Sequence, residues 1–482
     1  MVCQEGEKMK KFVLATLVLV LMLAAALPLP VKTEQPPLMK TLDCDALPVR
    51  AEFLDFADVD EPSFCDVDDP TPFWVDIVNA EYFPEGGDGI YIAVLDTGLL
   101  SQWQFFFTNP ETGECRIKWE WGKGFTHDIW WDDEIGDFVI GPLRDDRGFI
   151  TKDFEGSGHG THVVSTIIGY RFRTVTADMW IRGVAPKAWI IPVLVLDAWI
   201  VPYPGGVARF TGGTWEMISA GIYYVTQLAE TYNIKVIISM SLGGGSPSPM
   251  IEEAINYAIK KGVVVVAAAG NEGEAGMTWP GAYPQVISVA AGGWTMQWLG
   301  YPPSNPPDPY RWWLTDVPEK LNTPDDLGNP WQVFLENFSS RPNKTLGQKW
   351  FYLDVTAPGA SVVGPYKPYF STRVGYYYLW GTSMATPHVS AIASILLQKY
   401  PILGKYPRLT QSLIESIFKL SAQCIPPCYN SAWVWDINAT GYIDLLYFEW
   451  KWNDWGAGWT LADKANCIAA IIARLLKPQF HC

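Results

Sequence analysis

The feature that most constrains this chain is a short apolar run, Gly89-Ile90-Tyr91-Ile92-Ala93-Val94-Leu95, that stops at Asp96-Thr97-Gly98. A strand without polar alternation has to be covered on both faces, and strands of that kind are buried in parallel sheets between helices. Asp96 then sits at the strand's carboxyl end, where open α/β sheets place their ligands. Ile237-Ile238-Ser239-Met240-Ser241-Leu242-Gly243 and Val263 to Ala269 read as further strands, the second leading into Gly270-Asn271. The expected class is α/β, with a mostly parallel sheet sandwiched by helices.

Two other motifs place polar groups at the same end of such a sheet. His159 lies between glycines in Gly158-His159-Gly160-Thr161-His162, and Val163, Val164, Ile167 and Ile168 follow with the spacing of a helix packed on the sheet. Gly381-Thr382-Ser383 precedes Met384 to Gln398, a run of small and apolar residues readable as a buried helix. Ser383 then stands at a helix amino terminus, where free N–H groups can stabilise an oxyanion. Taken singly, each has an ordinary explanation: Asp96 as a turn residue, Ser383 as a helix cap, His162 and His388 as structural histidines. The His159/His162 spacing is not His-Glu-x-x-His, so a zinc peptidase is not indicated. Asp96, His159 and Ser383 in that order, with Asn271 between the last two, supply a carboxylate, an imidazole, a hydroxyl and an amide. Those are the groups that nucleophilic acyl transfer requires.

In these motifs the chain resembles the subtilisin-like serine proteases, the subtilases. The order Asp, His, Ser separates it from the chymotrypsin-like and α/β-hydrolase orders. Gly158 to Val163, Gly381 to Pro387 and Ala267-Ala268-Ala269-Gly270-Asn271 match the family's blocks, and the likeness runs from about residue 72 to about 446. The resemblance implies a three-layer α/β/α sandwich with large loop insertions. It also implies an endopeptidase in which Ser383 attacks, His159 carries the proton, Asp96 orients His159 and Asn271 binds the oxyanion. Ile237 to Gly243 resembles the strand to which an extended substrate pairs. Ser241, Leu242, Gly243, Ala268, Ala269 and Gly270 are the expected substrate-binding residues, and their small side chains suggest an open primary pocket for large apolar groups. Many members bind calcium. The loop from Tyr170 to Trp180, which holds ligands in many relatives, offers only Asp178 and threonine hydroxyls here. Asp132-Asp133-Glu134 and Asp145-Asp146 are the remaining calcium candidates, and no cofactor is expected in the chemistry. Asp436 to Gly441 imitates the start of an EF-hand loop, but position twelve is Tyr447 where a glutamate is needed.

Composition limits the partners. A formal net charge of −16 argues against nucleic acid, which requires a basic face. Protein or peptide substrates are expected. With 49 % hydrophobic and 18 % charged residues, the chain has enough apolar material for a large core, so disorder is not the default. Lys8, Lys10 and Lys11 precede the apolar run Phe12 to Leu27, so residues 1–30 read as an export signal, with an uncleaved membrane anchor as the alternative. Secretion or attachment to the cell envelope follows. Residues 31–71 form an acidic, proline-containing leader, short for a folded propeptide.

The catalytic domain is expected over 72–450, with insertions at about 101–151 and 292–349 that are rich in Trp. Packing against the body is the favoured role of those indoles, and holding polypeptide is the alternative. Residues 451–482 form a tail whose Leu461 to Leu476 has helical spacing. Eight cysteines fit an oxidising compartment: Cys44 with Cys65, Cys424 with Cys428 and Cys467 with Cys482 are suggested by proximity, leaving Cys3 in the signal and Cys115 unpaired. Asn337, Asn343 and Asn438 lie in glycosylation sequons. Two competing functions keep the scaffold: a catalytically silent envelope protein that holds polypeptide, and an exopeptidase or processing protease with one dedicated substrate.

Overall fold

The computed structural model describes residues 71–146, 157–173, 178–294, 333–423, 431–437, 443–449, 454 and 456–476. The expected signal, nearly all of the leader, most of the second insertion, the Asp436 to Gly441 loop beyond Ile437, and six of the eight cysteines lie outside them.

Helix α1 (Phe73–Asp76) leads into β1 (Tyr91–Asp96), buried along its length as its unbroken apolar sequence requires. Helix α2 (Trp103–Phe107) opens the first insertion, which continues as β2 (Lys123–Asp132) and β3 (Asp137–Asp146). Helix α3 (His159–Ile168) and the hairpin β4 (Gly169–Arg173) and β5 (Asp178–Arg182) follow. Strand β6 (Trp189–Leu194) is continued by a second hairpin, β7 (Asp197–Tyr203) and β8 (Gly206–Gly212). Next come α4 (Trp215–Tyr232), β9 (Val236–Met240), α5 (Pro249–Lys260), β10 (Val264–Ala268) and β11 (Ile287–Trp294). After the second insertion stand β12 (Val333–Leu335), β13 (Val355–Pro358), and the hairpin β14 (Val362–Tyr366) and β15 (Gly375–Leu379). Helices α6 (Thr382–Lys399) and α7 (Pro407–Ser421), the hairpin β16 (Ser431–Ile437) and β17 (Ile443–Glu449), and α8 (Ala462–Leu476) complete the chain.

A nine-stranded sheet organises the molecule, in the order β12-β11-β10-β9-β1-β6-β2-β3, with β13 also paired to β11. Its body is parallel and its edge partners β3 and β12 are antiparallel. Helices α3 and α6 pack together on one face, while α4, α5 and α7 cover the other. The result is the expected three-layer α/β/α sandwich. Local signals explain the helix limits. The Thr214 hydroxyl accepts from Met217 N to start α4, and Asn233 ends that helix in the left-handed region at φ 50°. Pro249 occupies the first turn of α5, where its missing N–H costs nothing. Helix α6 is buried for nearly its whole length, which its Ala, Ser and Thr content permits.

Three expectations change. The first insertion is not a free loop: β2 runs parallel to β6 and pairs with β3, so this segment widens the sheet. Most of its described indoles pack, Trp119 stacking on Trp103 at 4.6 Å and Trp121 on Tyr232 at 4.7 Å, whereas Trp130 remains 43 % exposed. Second, residues 170–173 pair antiparallel with 178–181, and Asp178 is held by Arg171 in a bidentate pair, with Arg173 at 3.8 Å. Third, β9 is not an edge strand. It is paired to β1 on one side and β10 on the other, so an added peptide can reach only the residues beyond Met240.

Candidate active site

Asp96 ends β1, Asn271 follows β10, and His159 and Ser383 stand at the starts of α3 and α6, helices that pack against each other. Asp96 is fully buried. Its Oδ1 accepts from Thr97 N at 2.7 Å and is 2.7 Å from Nδ1 of His159, the first residue of α3. A carboxylate at that distance holds the proton on Nδ1 and leaves Nε2 as the imidazole's acceptor.

The flanking residues make this alignment rigid. Thr97 Oγ1 donates to Ser157 O and accepts from Gly160 N, so the Asp and His turns are stitched together at 3.2 and 2.9 Å. His159 N donates to Ser157 Oγ, and Leu100 N donates to Thr161 Oγ1. Both glycines beside His159 are required by close approach. A Cβ on Gly160 would lie 2.3 Å from Gly98 O, and one on Gly158 would lie 2.3 Å from Lys367 N. Thr97, Ser157 and Thr161 received no role from the sequence, since a hydroxyl that bonds backbone across sixty residues carries no local signature.

Ser383 is the second residue of α6 and is 4 % exposed. Its Oγ donates to Ser241 O at 3.1 Å, and the Ser241 hydroxyl returns a bond to Ser383 O at 2.7 Å. That second bond has a sequence cause. In a regular helix Ser383 O would accept from the residue four positions on, which is Pro387 and has no N–H. Proline thus frees the carbonyl that ties the helix start to the end of β9.

Asn271 follows β10, and its Oδ1 accepts from both Thr382 N and Thr382 Oγ1 at 3.0 Å. This fixes the amide so that Nδ2 points away from Thr382. A Cβ built on Gly381 would lie 3.6 Å from Asn271 Nδ2 and equally 3.6 Å from Ser383 N, so the two donors border one point beside that glycine. Such paired donors suit a developing oxyanion.

Of the expected substrate-binding residues, Ser241 and Gly270 bond to the start of α6, Ser241 to Ser383 and Gly270 N to Thr382 Oγ1. Ser241, Leu242 and Gly243 run on from β9 and are buried, and the following Gly244 exchanges backbone hydrogen bonds with Trp279 at 2.8 and 2.9 Å. Ala268 ends β10 and Ala269 and Gly270 follow it; Ala269 O and Gly270 O accept from Thr278 N and Ser340 N. Their small side chains leave a wall without bulk. Glu272, next to Asn271, takes a bond from Ser340 Oγ at 2.9 Å, and burial pushes its carboxyl up from the usual range.

Two further histidines, His162 and His388, are structural. His162 Nε2 donates toward Val362 O and Tyr377 O, and burial drives its pKa down to about 3. His388 Nδ1 donates to Met384 O, and burial lowers its pKa to about 4. Both rings are neutral at ordinary pH. Among the described residues no group of three His, Cys, Asp or Glu side chains gathers as a metal cage. Asp132 and Asp133 instead accept from Glu134 N and Trp131 Nε1, and Asp145 pairs with Lys123. Cys115 and Cys467, the described cysteines, are free thiols, and each of the three suggested pairings includes a cysteine outside the described residues.

Comparison with known proteins identifies the family of the chain. The sequence profile described as "Subtilase family" matches residues 87–423. The chain is 28 % identical over 329 residues to a subtilisin of Bacillus sp. (strain TA39), covering 66 % of this chain and 58 % of that protein. It is 32 % identical over 254 residues to subtilisin DY of Bacillus licheniformis, covering 52 % and 67 %. It is also 32 % identical over 241 residues to thermitase of Thermoactinomyces vulgaris, covering 50 % and 61 %. The matches therefore span about three-fifths to two-thirds of these relatives' own lengths. The family profile extends from the turn before β1 to the end of α7, across every element that shapes the site, and the chain belongs to the subtilase family.

Proposed function

We propose that this protein is a serine endopeptidase that hydrolyses peptide bonds through an acyl-enzyme. The observation that supports the reading is the buried Asp96–His159 bond of 2.7 Å, set at the carboxyl end of β1. Ser383 Oγ attacks the scissile carbonyl carbon as its proton passes to His159 Nε2. Asp96 holds the imidazole's tautomer and offsets the charge of the imidazolium. The oxygen that becomes anionic lies between Asn271 Nδ2 and Ser383 N, and His159 returns the proton to the leaving amine nitrogen. Water then attacks the acyl carbon with His159 again as base, releasing the acid and restoring the Ser383 hydroxyl. Loss of one such oxyanion donor costs about 3–4 kcal/mol of transition-state stabilisation.

Ser241 to Gly243 and Ala268 to Gly270 line the primary pocket, and residues beyond β9 pair with an extended substrate. Residues 72–450 form the catalytic domain and 451–482 its C-terminal tail. The Lys-flanked apolar run at residues 8–27 directs export, and the acidic leader is removed on maturation.

The test is casein hydrolysis by the exported protein and by Ser383→Ala, with mass spectrometry of the fragments and of the enzyme's own amino terminus. Internal cuts at many sites, lost in the variant, are expected. Equal activity in the two proteins would overturn the assignment of Ser383. Fragments trimmed only from one end would favour an exopeptidase, and a wild type unreactive toward both casein and a fluorophosphonate probe would favour the silent binding protein.

A further inference from the structure

The hairpin β7–β8 leaves the sheet beside Asp96 and returns to the same point. At its root, Val195 N and Leu196 N both donate to Asp96 O, and Thr97 bridges Leu194. Gly213, just past its end, comes so close to Val195 O that a Cβ would lie 2.1 Å away. The hairpin β14–β15 is rooted on the other two groups. Lys367 O, just past β14, accepts from Gly158 N beside His159, while His162 donates into both of its strands. Its second strand runs through Trp380 and Gly381 into Ser383.

These hairpins meet away from their roots. The Arg209 guanidinium on β8 lies over the ring of Phe370 in the β14–β15 turn, with its carbon 5.2 Å from the ring centroid. Strand alternation explains which side chains take part. Phe210 turns to the opposite face, where its ring packs on Phe138 at 5.0 Å, and Tyr203 near the tip packs on both Trp131 and Phe138. One face of the hairpin is thus anchored to the widened sheet edge, and the other presents Arg209 to Phe370. Arg209 is exposed, and among the described residues no carboxylate pairs with it. Phe370 is half-buried and holds a left-handed backbone at φ 58°, unfavourable for a residue with a side chain.

We propose that Arg209 and Phe370 form a latch across the His159 side of the active site and so determine the size of substrate it accepts. This rests on the endopeptidase reading. An extended chain or a small peptide passes between the latched hairpins and the end of β9. A folded protein presenting a loop requires the hairpins to part. The contact is one exposed cation over one ring, weak enough to open and strong enough to bias the closed form.

The experiment compares kcat/KM for a tetrapeptide p-nitroanilide with that for a native globular protein, using wild type, Arg209→Ala, Phe370→Ala, the double variant and Arg209→Lys. Thermal melting checks that each is folded, which the exposure of Arg209 favours. Both alanine variants are expected to raise native-protein cleavage about two- to fivefold relative to the anilide. The anilide rate should stay constant, the double variant should equal the singles, and lysine should restore the wild-type ratio. An unchanged ratio, or a parallel fall on both substrates as loosening of the His159 turn would give, overturns the latch. Wild type that neither cleaves the anilide nor reacts with a fluorophosphonate overturns the endopeptidase reading and the latch with it.

Discussion

Asp96, His159, Ser383 and Asn271 are positioned by hydroxyls and glycines as much as by the elements that carry them. Thr382 is the clearest case, because both its N–H and its hydroxyl hold Asn271 Oδ1. Thr382→Val should lower kcat about tenfold on an anilide substrate with little change in KM, since Asn271 Oδ1 keeps only the Thr382 N–H and the buried Gly270 N loses its acceptor. Gly160→Ala is expected to be more damaging. Its Cβ would lie 2.3 Å from Gly98 O, so the His159 turn must move away from Asp96. Fluorophosphonate labelling of Ser383 in that variant should slow by at least about a hundredfold, the cost of misplacing a catalytic group by an ångström. These roles were only partly legible in the sequence. Aspartate, histidine and serine announce themselves through their glycine-rich settings, whereas Thr97 and Thr382 act through partners distant along the chain.

Elements are held together by close backbone approach and by buried neutral rings. Helix α3 ends at Gly169, and Gly183 comes so near that a Cβ on it would lie 2.2 Å from Gly169 N. Gly183→Ala should therefore destabilise the protein by about 1–3 kcal/mol, read from urea midpoints in a Ser383→Ala background that cannot digest itself. His162 pins α3 to the β14–β15 hairpin, and His388 sits within α6. Burial lowers both below the usual 6.5, to about 3 and about 4. The unfolded chain then binds more protons than the folded one between those values and 6.5. Their contribution to stability is complete above pH 6.5 and is lost as pH falls toward the folded-state values. Each ring adds a slope of at most about 1.4 kcal/mol per pH unit. The urea midpoint should fall steadily from pH 6.5 to 4, and less steeply in His388→Asn.

Across the whole molecule, the C-terminal tail behaves as part of the sandwich. Helix α8 packs on α6 and α7, burying Ala465, Ala469 and Ile472 in the same core as the sheet. A chain ending at residue 460 should lose cooperative thermal unfolding and bind a hydrophobic dye, because that face of α7 becomes exposed. Buried charge supplies a second tie. Asp354, before β13, accepts from Ser288 N at 2.7 Å and pairs with Lys419 on α7, which also holds Glu415. Although burial opposes it, the two carboxylates push the lysine's pKa up. Lys419→Met should cost about 3–5 kcal/mol in the same urea assay, since it leaves Asp354 buried without its partner.

Sequence alone determined the parts of this protein whose causes are local. Unbroken apolar runs can only be covered strands, so β1 and β10 emerge within a residue or two of their observed limits, β9 ends three residues before the Gly243 expected for it, and small apolar runs after His159 and Ser383 give α3 and α6. Tertiary structure decided what depends on neighbours distant along the chain. The Trp- and Asp-rich insertion became sheet because β6 offered it an unpaired edge, a property of no residue within the insertion. Strand β9 could not serve as a substrate edge because β1 and β10 already occupy both of its sides. Asp178 was taken by Arg171 once the hairpin brought them face to face. The meeting of Arg209 with Phe370, likewise, exists only because two hairpins rooted at the same site fold toward each other. Periodicity records which face of an element is covered, and only the assembled chain determines which residues cover it.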